Sequence, residues 1–136
     1  EVSIYSELYE RNYDVLHKDA VVMIKGSTIV DDFTDNLKMR ATNILSVEQA
    51  RVRLAKKLKL NIDQSGLEPD FSRELAAILT PFKELNGEGC PVVVKYCRSD
   101  ASVEVVFGDK WRVRPSDELM HDLRNRYGSR QVNLDY

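Results

Sequence analysis

The chain has 136 residues, 43% of them hydrophobic, and a formal net charge of −2 from 20 basic and 22 acidic side chains. That suits one ordinary domain or two small ones, and it excludes both a disordered tail and a uniformly basic nucleic-acid binder. The apolar run Ala20–Ile24 is far shorter than the ~18–20 residues of a membrane span. No basic stretch followed by an apolar one opens the chain, so no signal peptide is expected. The start at Glu1, without Met and inside a strand-like pattern, leads to the expectation of a fragment cut from a longer chain.

Glu1–Tyr5 alternates Val2 and Ile4 with Ser3 and Tyr5, the period of a half-buried strand. Ser6 offers an N-cap to a helix whose apolar stripe is Leu8, Tyr9, Tyr13 and Leu16. Ala20–Ile24 reads as a buried strand, with Gly26 marking a bulge or bend. Asp31–Asn36 is turn chemistry, and Leu37, Met39 and Ala41 alternate in the second strand of a hairpin. Ser46–Gln49 fits a capping box in which Gln49 reaches back to the Ser46 backbone. The helix it opens places Val47, Ala50, Leu54 and Leu58 on one face.

Leu58, Leu60 and Ile62 then alternate as a strand, and Gln64–Ser65–Gly66 breaks the pattern. Pro69 sits at a helix's first turn, Phe71, Leu75, Ile78, Leu79 and Phe82 form its inward stripe, and Pro81 ends it. Val92–Tyr96 and Ser102–Phe107 read as a hairpin joined near Ser99–Asp100, followed by a short strand at Trp111–Val113. Pro115–Glu118 opens a helix with Leu119, Met120, Leu123 and Tyr127 inward and Gly128 as its stop. Val132, Leu134 and Tyr136 alternate in a terminal strand. The order over 58–136 is that of a split βαβ sandwich, two helices on one antiparallel sheet.

Charge is distributed unevenly. Residues 1–37 are net −5, residues 38–60 net +6, and residues 61–136 net −3. The middle block holds the candidate nucleic-acid contacts: Lys38 and Arg40 on one strand face, then Arg51, Arg53, Lys56 and Lys57. Phosphate contacts there would make binding steeply salt-sensitive, whereas few aromatic side chains lie near for base stacking. The alternative is an ordinary solvated face.

No catalytic constellation is present: no Gly-rich phosphate loop, no nucleophile elbow, no paired metal-ligand spacing. His17 and His121 sit alone on predicted helices. Asp31, Asp32 and Asp35 could hold Mg²⁺, but their place in a turn favours local backbone contacts. Trp111 reads as core rather than as a stacking platform. Cys90 and Cys97, at the ends of one extended stretch, would stand ~23 Å apart on opposite faces, too far for a disulfide. Free thiols point to a reducing compartment, hence the cytoplasm.

The pattern Glu-Val-Ser-Ile-Tyr, a helix, a strand ending in Lys25–Gly26, the acidic loop Asp31–Asp32–Phe33 and the strand Leu37–Ala41 looks like the later part of an OB-fold. With Val47–Arg51 and the run from Trp111 through Arg112, Val113, Arg114, Pro115, Ser116, Asp117 and Glu118 to Leu119, the whole chain resembles the C-terminal end of the alpha subunit of bacterial DNA polymerase III. The resemblance implies an α+β fragment: an incomplete OB-fold over 1–45, a basic helical connector over 46–57 and a protein-docking α/β domain over 58–136. It implies a parent polymerase that uses Mg²⁺ through aspartates lying upstream, with no catalytic or metal-binding residue and no cofactor in this chain.

The resemblance also implies docking to the clamp-loader tau subunit during DNA replication. The tail Gln131, Val132, Leu134 and Tyr136 looks like a sliding-clamp-binding peptide, although the same residues suit a closing strand. A single-stranded-DNA-binding module is the rival reading. A five-stranded OB-fold reduced to its last three strands would expose edges that invite self-association.

Overall fold

In a computed structural model that describes residues 1–31, 35–65, 67–84 and 86–136, the chain divides into two units, Glu1–Ala50 and Arg51–Tyr136. The expected turn residues Asp32 and Phe33, and the break at Gly66, lie outside the described residues.

The first unit is built on a long hairpin. β2 (Val22–Val30) pairs antiparallel with β3 (Leu37–Ser46), and the two-residue β1 (Val2–Ser3) runs parallel along the other side of β3. The register slips between Lys25 and Gly26, and a Cβ at Gly26 would stand 2.1 Å from the Arg40 carbonyl oxygen. The bulge expected at this glycine is therefore real, and only glycine fits it. The turn closes with Asp35 N–H donating to the Asp31 carbonyl and Asp31 N–H to the Asn36 carbonyl, each at 2.9 Å. Asp35 takes the left-handed conformation there (φ 54°), which Asp tolerates.

Two expectations for this unit need correction. The strand starts at Val22 rather than Ala20 and is not buried; Met23 is 46% exposed, because an edge strand of a small sheet keeps one face open. α1 (Ser6–Arg11) is short and gives way to a 3₁₀ turn at Tyr13–Val15, leaving Tyr9 and Tyr13 exposed. Ser6 is its first helical residue, and Tyr5 holds the N-cap position without a side-chain bond. The Asn12 amide donates to the Leu8 carbonyl at 2.8 Å, taking a last-turn acceptor for itself. The capping box, by contrast, forms as expected at the start of α2 (Val47–Leu54). Ser46 N–H donates to Gln49 Oε1 at 3.0 Å, and Gln49 N–H donates to Ser46 Oγ at 3.1 Å.

The second unit follows the element order read from the sequence: β4 (Lys57–Asp63), α3 (Phe71–Leu79), β5 (Val92–Cys97), β6 (Ser102–Val106), α4 (Asp117–Tyr127) and β7 (Val132–Asp135). Its sheet order is β6-β5-β4-β7, with β4 and β5 parallel and the other two pairings antiparallel. The expected split, all-antiparallel sheet is thus corrected. β4 and β5 pair directly, because the long α3-bearing connection is able to return the chain in parallel beside its own starting strand.

Leu58, Leu60, Ile62, Val92, Val94 and Val132 line one face of this sheet. Leu75 and Leu79 of α3 and Leu119, Met120 and Leu123 of α4 close over it. α3 stops at Leu79, just before Pro81, in a 3₁₀ turn over Thr80–Phe82. α4 is capped by Ser116 Oγ, which accepts from Leu119 N–H at 3.3 Å, and ends at Gly128 with φ 95°. The expected strand at Trp111–Val113 is instead a 3₁₀ turn over Asp109–Trp111, closed by the Arg112 Nε bond to Asp109 at 3.0 Å. Around Val113 isolated bridges remain. It exchanges backbone bonds with Cys90 at 2.8 and 2.9 Å, and on its other side it bridges Lys83, with the Arg112 carbonyl accepting from Glu84 N–H at 2.9 Å and Arg114 N–H donating to the Phe82 carbonyl at 2.8 Å.

Both thiols are free. Cys90 precedes the strand and is buried, and that burial pushes its thiol up to about 11. Cys97, half-buried at the end of β5, is expected to react first with a maleimide at pH 8, Cys90 labelling only on unfolding; peptide mapping of the labelled chain checks this. Gly26→Ala should destabilise the hairpin by about 1–3 kcal/mol, measured by urea denaturation.

Candidate functional site

The six basic side chains singled out by the sequence fall in both units. Lys38 and Arg40 project from β3 in the first. Lys38 Nζ lies 2.6 Å from Asp31 Oδ2 and 3.9 Å from Glu1, and the Asp31 hydrogen bond raises its pKa. Asp31 is therefore held in an ion pair within the turn. The Arg40 guanidinium rests 5.3 Å from the centre of the Tyr5 ring, a cation–π contact.

The other four belong to the second unit. Arg51 is largely buried by its partners: it pairs closely with Asp117 in the first turn of α4 and also contacts Tyr136, and the Asp117 hydrogen bond is the main cause of its raised pKa. Lys57 pairs with Asp135 at 3.4 Å. Arg53 and Lys56 are exposed and, among the described residues, have no ion-pair partner. Half of the proposed phosphate-binding set is thus already opposed by a carboxylate. Charge alone could not reveal this for Arg51 and Lys57, because Asp117 and Asp135 come from distant parts of the chain, whereas Asp31 reaches Lys38 across the turn of one hairpin.

The C-terminal residues form a strand. Val132 is 1% exposed and pairs with Leu60; Leu134 pairs with Leu58 and packs against the same core. The Gln131 carbonyl accepts from Asn61 N–H at 2.8 Å, and the Asp135 carbonyl accepts from Lys56 N–H at 2.7 Å. Gln131 lies just ahead of the strand, and Tyr136, 60% exposed, extends beyond its end. Of the four residues read as a partner-binding peptide, Val132 is locked in the core and Leu134 is partly so.

The run from Trp111 to Leu119 turns out to be architecture. Lys83 Nζ sits 3.7 Å from the centre of the Trp111 ring, whose edge meets Phe107. Arg112 Nη1 donates to the Gly89 carbonyl at 3.0 Å. Val113, Pro115 and Leu119 are fully buried, Ser116 caps α4, and Asp117 holds Arg51.

A cleft of about 230 Å³ opens among Asn61, Asp63, Glu68, Arg126, Tyr127 and Gln131. It is smaller than the ~300–1,000 Å³ usual for small-molecule sites. Arg126 is engaged there by Glu74 at 2.5 Å and Glu68 at 2.9 Å, and the exposed Ser65 hydroxyl, also in the lining, donates to Asp63 Oδ1 at 2.6 Å. Among the described residues no three His, Cys, Asp or Glu side chains are grouped to hold a metal ion, and no helix is long and apolar enough to cross a membrane. The His121 ring bonds Asn125 at 2.8 Å, and His17 Nδ1 lies 3.1 Å from the Lys18 carbonyl.

The strand expected at Ser102–Phe107 forms as β6 and lies at the edge of the sheet, which the sequence does not reveal; its valines Val103, Val105 and Val106 are 52%, 49% and 65% exposed. Their alternation with polar residues had signalled a strand, but not that its outer side would be unpaired.

Residues 74–128, from within α3 to the end of α4, match the family model described as DNA polymerase III subunit alpha, C-terminal domain. The whole chain aligns at 35% identity with the DNA polymerase III subunit alpha of Pseudomonas aeruginosa, covering 11% of that protein. It aligns over its full length at 35% with that of Vibrio cholerae and at 32% with that of Escherichia coli, covering 12% of each. The chain therefore spans only about an eighth of these relatives. With the match falling on the helices that close the second sheet, the chain is recognised as a C-terminal region of the DNA polymerase III alpha family.

Proposed function

We propose that this region is a docking module of a replicative DNA polymerase, with no chemistry of its own, and that it joins the polymerase to the clamp-loader tau subunit. The observation that carries this reading is the family match over residues 74–128, where the matched side chains are spent on packing and capping rather than on a reactive site. The Mg²⁺ and the catalytic aspartates of the parent would then belong to other parts of the longer protein. In the first unit, the order β1-β3-β2 with β1 parallel and β2 antiparallel to β3 supports a reading as the last three strands of an OB-fold. Its outer strands leave edges through which copies of the chain could associate.

The rival reading is a single-stranded-DNA module; of its six candidate basic side chains, Arg40 in the first unit and Arg53 and Lys56 in the second are not opposed by a carboxylate among the described residues. It predicts few phosphate contacts and therefore a shallow salt dependence. Engagement of the sliding clamp by the tail belongs to the docking reading. It requires β7 to leave the sheet, since Val132 cannot fill the core and a clamp pocket at once.

Calorimetric titration of the chain with tau is expected to give saturable heat at tens of micromolar or below; no heat would remove the docking reading. Deleting Gln131–Tyr136 should weaken that binding about tenfold or more and also lower the unfolding midpoint, because Leu58 and Leu60 lose their neighbour strand. Tyr136→Ala, which leaves the core intact, separates the two effects: a lowered affinity at unchanged stability assigns the tail to the interface.

A further inference from the structure

Strand β6 ends the second sheet, and all five of its residues are exposed. The bonds at its two ends fix which way its backbone groups point. Arg98 N–H donates to the Ala101 carbonyl at 2.8 Å, and Phe107 N–H donates to the Val92 carbonyl at 2.9 Å. Between them Tyr96 stands opposite Val103 and Val94 opposite Val105. Hydrogen-bonded and non-bonded pairs alternate in an antiparallel ladder, so Val103 and Val105 turn their N–H and C=O groups toward β5. Ser102, Glu104 and Val106 turn theirs outward.

Natural edges are usually blunted by Lys, Pro or a bulge. β2 of the first unit has both Lys25 and the bulge at Gly26. β6 has none of these. Its one charge, Glu104, meets Lys59 at 2.5 Å, which lowers its pKa and keeps it ionised, while the side chain stays 44% exposed to a further partner. Val103 and Val105 lie on the face that carries the helices, opposite the core residues Tyr96 and Val94, yet remain half exposed. The edge thus combines free ladder groups with an uncovered apolar shelf.

We propose that the outer edge of β6 accepts an extended strand of a partner protein by strand addition. The occupant carries apolar residues facing Val103 and Val105 and a basic or hydroxyl residue opposite Glu104. A second copy of this chain is the poorer occupant. The antiparallel register that uses Ser102, Glu104 and Val106 together sets Glu104 directly against its own copy, and like charges directly opposite are destabilising. This names the surface for the docking proposed above and rests on that reading.

The test uses the full 136-residue chain. Glu104→Pro removes an outward N–H and leaves the β5 ladder intact, so the unfolding midpoint should hold while tau affinity falls about tenfold, the worth of one backbone bond plus a steric block. Ser102→Pro serves if the first variant unfolds. The blocked peptide acetyl-Thr-Val-Lys-Val-Thr-amide should slow amide exchange at Ser102, Glu104 and Val106, read by NMR. Equal tau affinity of parent and folded proline variants overturns the proposal while docking stands. If tau does not bind but the peptide protects those three amides, the edge site stands and the docking reading falls. Binding of neither overturns the site. Protection of the same amides in a concentration-dependent dimer without peptide overturns the choice of a partner over a second copy.

Discussion

The central constraint in the second unit is the burial of one side of β4 between two neighbouring strands and two helices. Leu58, Leu60 and Ile62 all face the same way because strand side chains alternate, and all three are nearly or wholly buried. That stripe needs a flanking strand on each side and a helical cover. β5 supplies the parallel neighbour, β7 the antiparallel one, and α3 and α4 the cover. Each remaining element follows from how the chain gets between these positions. The long connection through α3 permits parallel pairing, while the short turn after Cys97 forces β6 to pair antiparallel and leaves it outermost.

The segment from Trp111 to Leu119 shows how closely local chemistry and packing cooperate here. Pro115 enters the core just ahead of the cap, Ser116 satisfies an orphan N–H of α4, and Asp117 places negative charge at that helix's positive end while gripping Arg51. Arg112 ties the turn to the Gly89 carbonyl, and Val113 locks to Cys90. A family resemblance concentrated in such a stretch reports a shared scaffold. What the scaffold touches has to be read from its outer surfaces, and in the second unit the uncovered edge of β6 presents three exposed valines in one strand.

The charge pattern has a related lesson. A block of net +6 over residues 38–60 suggests a phosphate-binding stripe, but tertiary contacts return acidic partners to it from the turn at Asp31, the start of α4 and the end of β7. Lys38, Arg51 and Lys57 act within their own units as cross-links between elements. The basic residues left in solvent are fewer than the linear count implies.

Much of the local structure was legible from spacing. The capping box at Ser46–Gln49, the bulge at Gly26, the inward stripes of α3 and α4 and the stop signals at Pro81 and Gly128 depend on residues within a few positions of one another, and each has a short-range mechanism. The failures share a different cause. Strand alternation at Leu58–Ile62 determines which face is buried, and the run of valines at Val92–Val94, all buried, marks an inner strand, but neither carries information about which strand lies beside which, so a split sheet and a directly paired one look alike in sequence. Trp111–Val113 has strand composition, yet its place is decided by Lys83, Cys90 and Gly89 arriving from elsewhere. Periodicity and capping, being local, were determined by the sequence itself; neighbour order, the neutralising of the basic block and the open edge at β6 were decided only when distant segments came together, because backbone ladders and ion pairs exist only between partners that the fold has brought within reach.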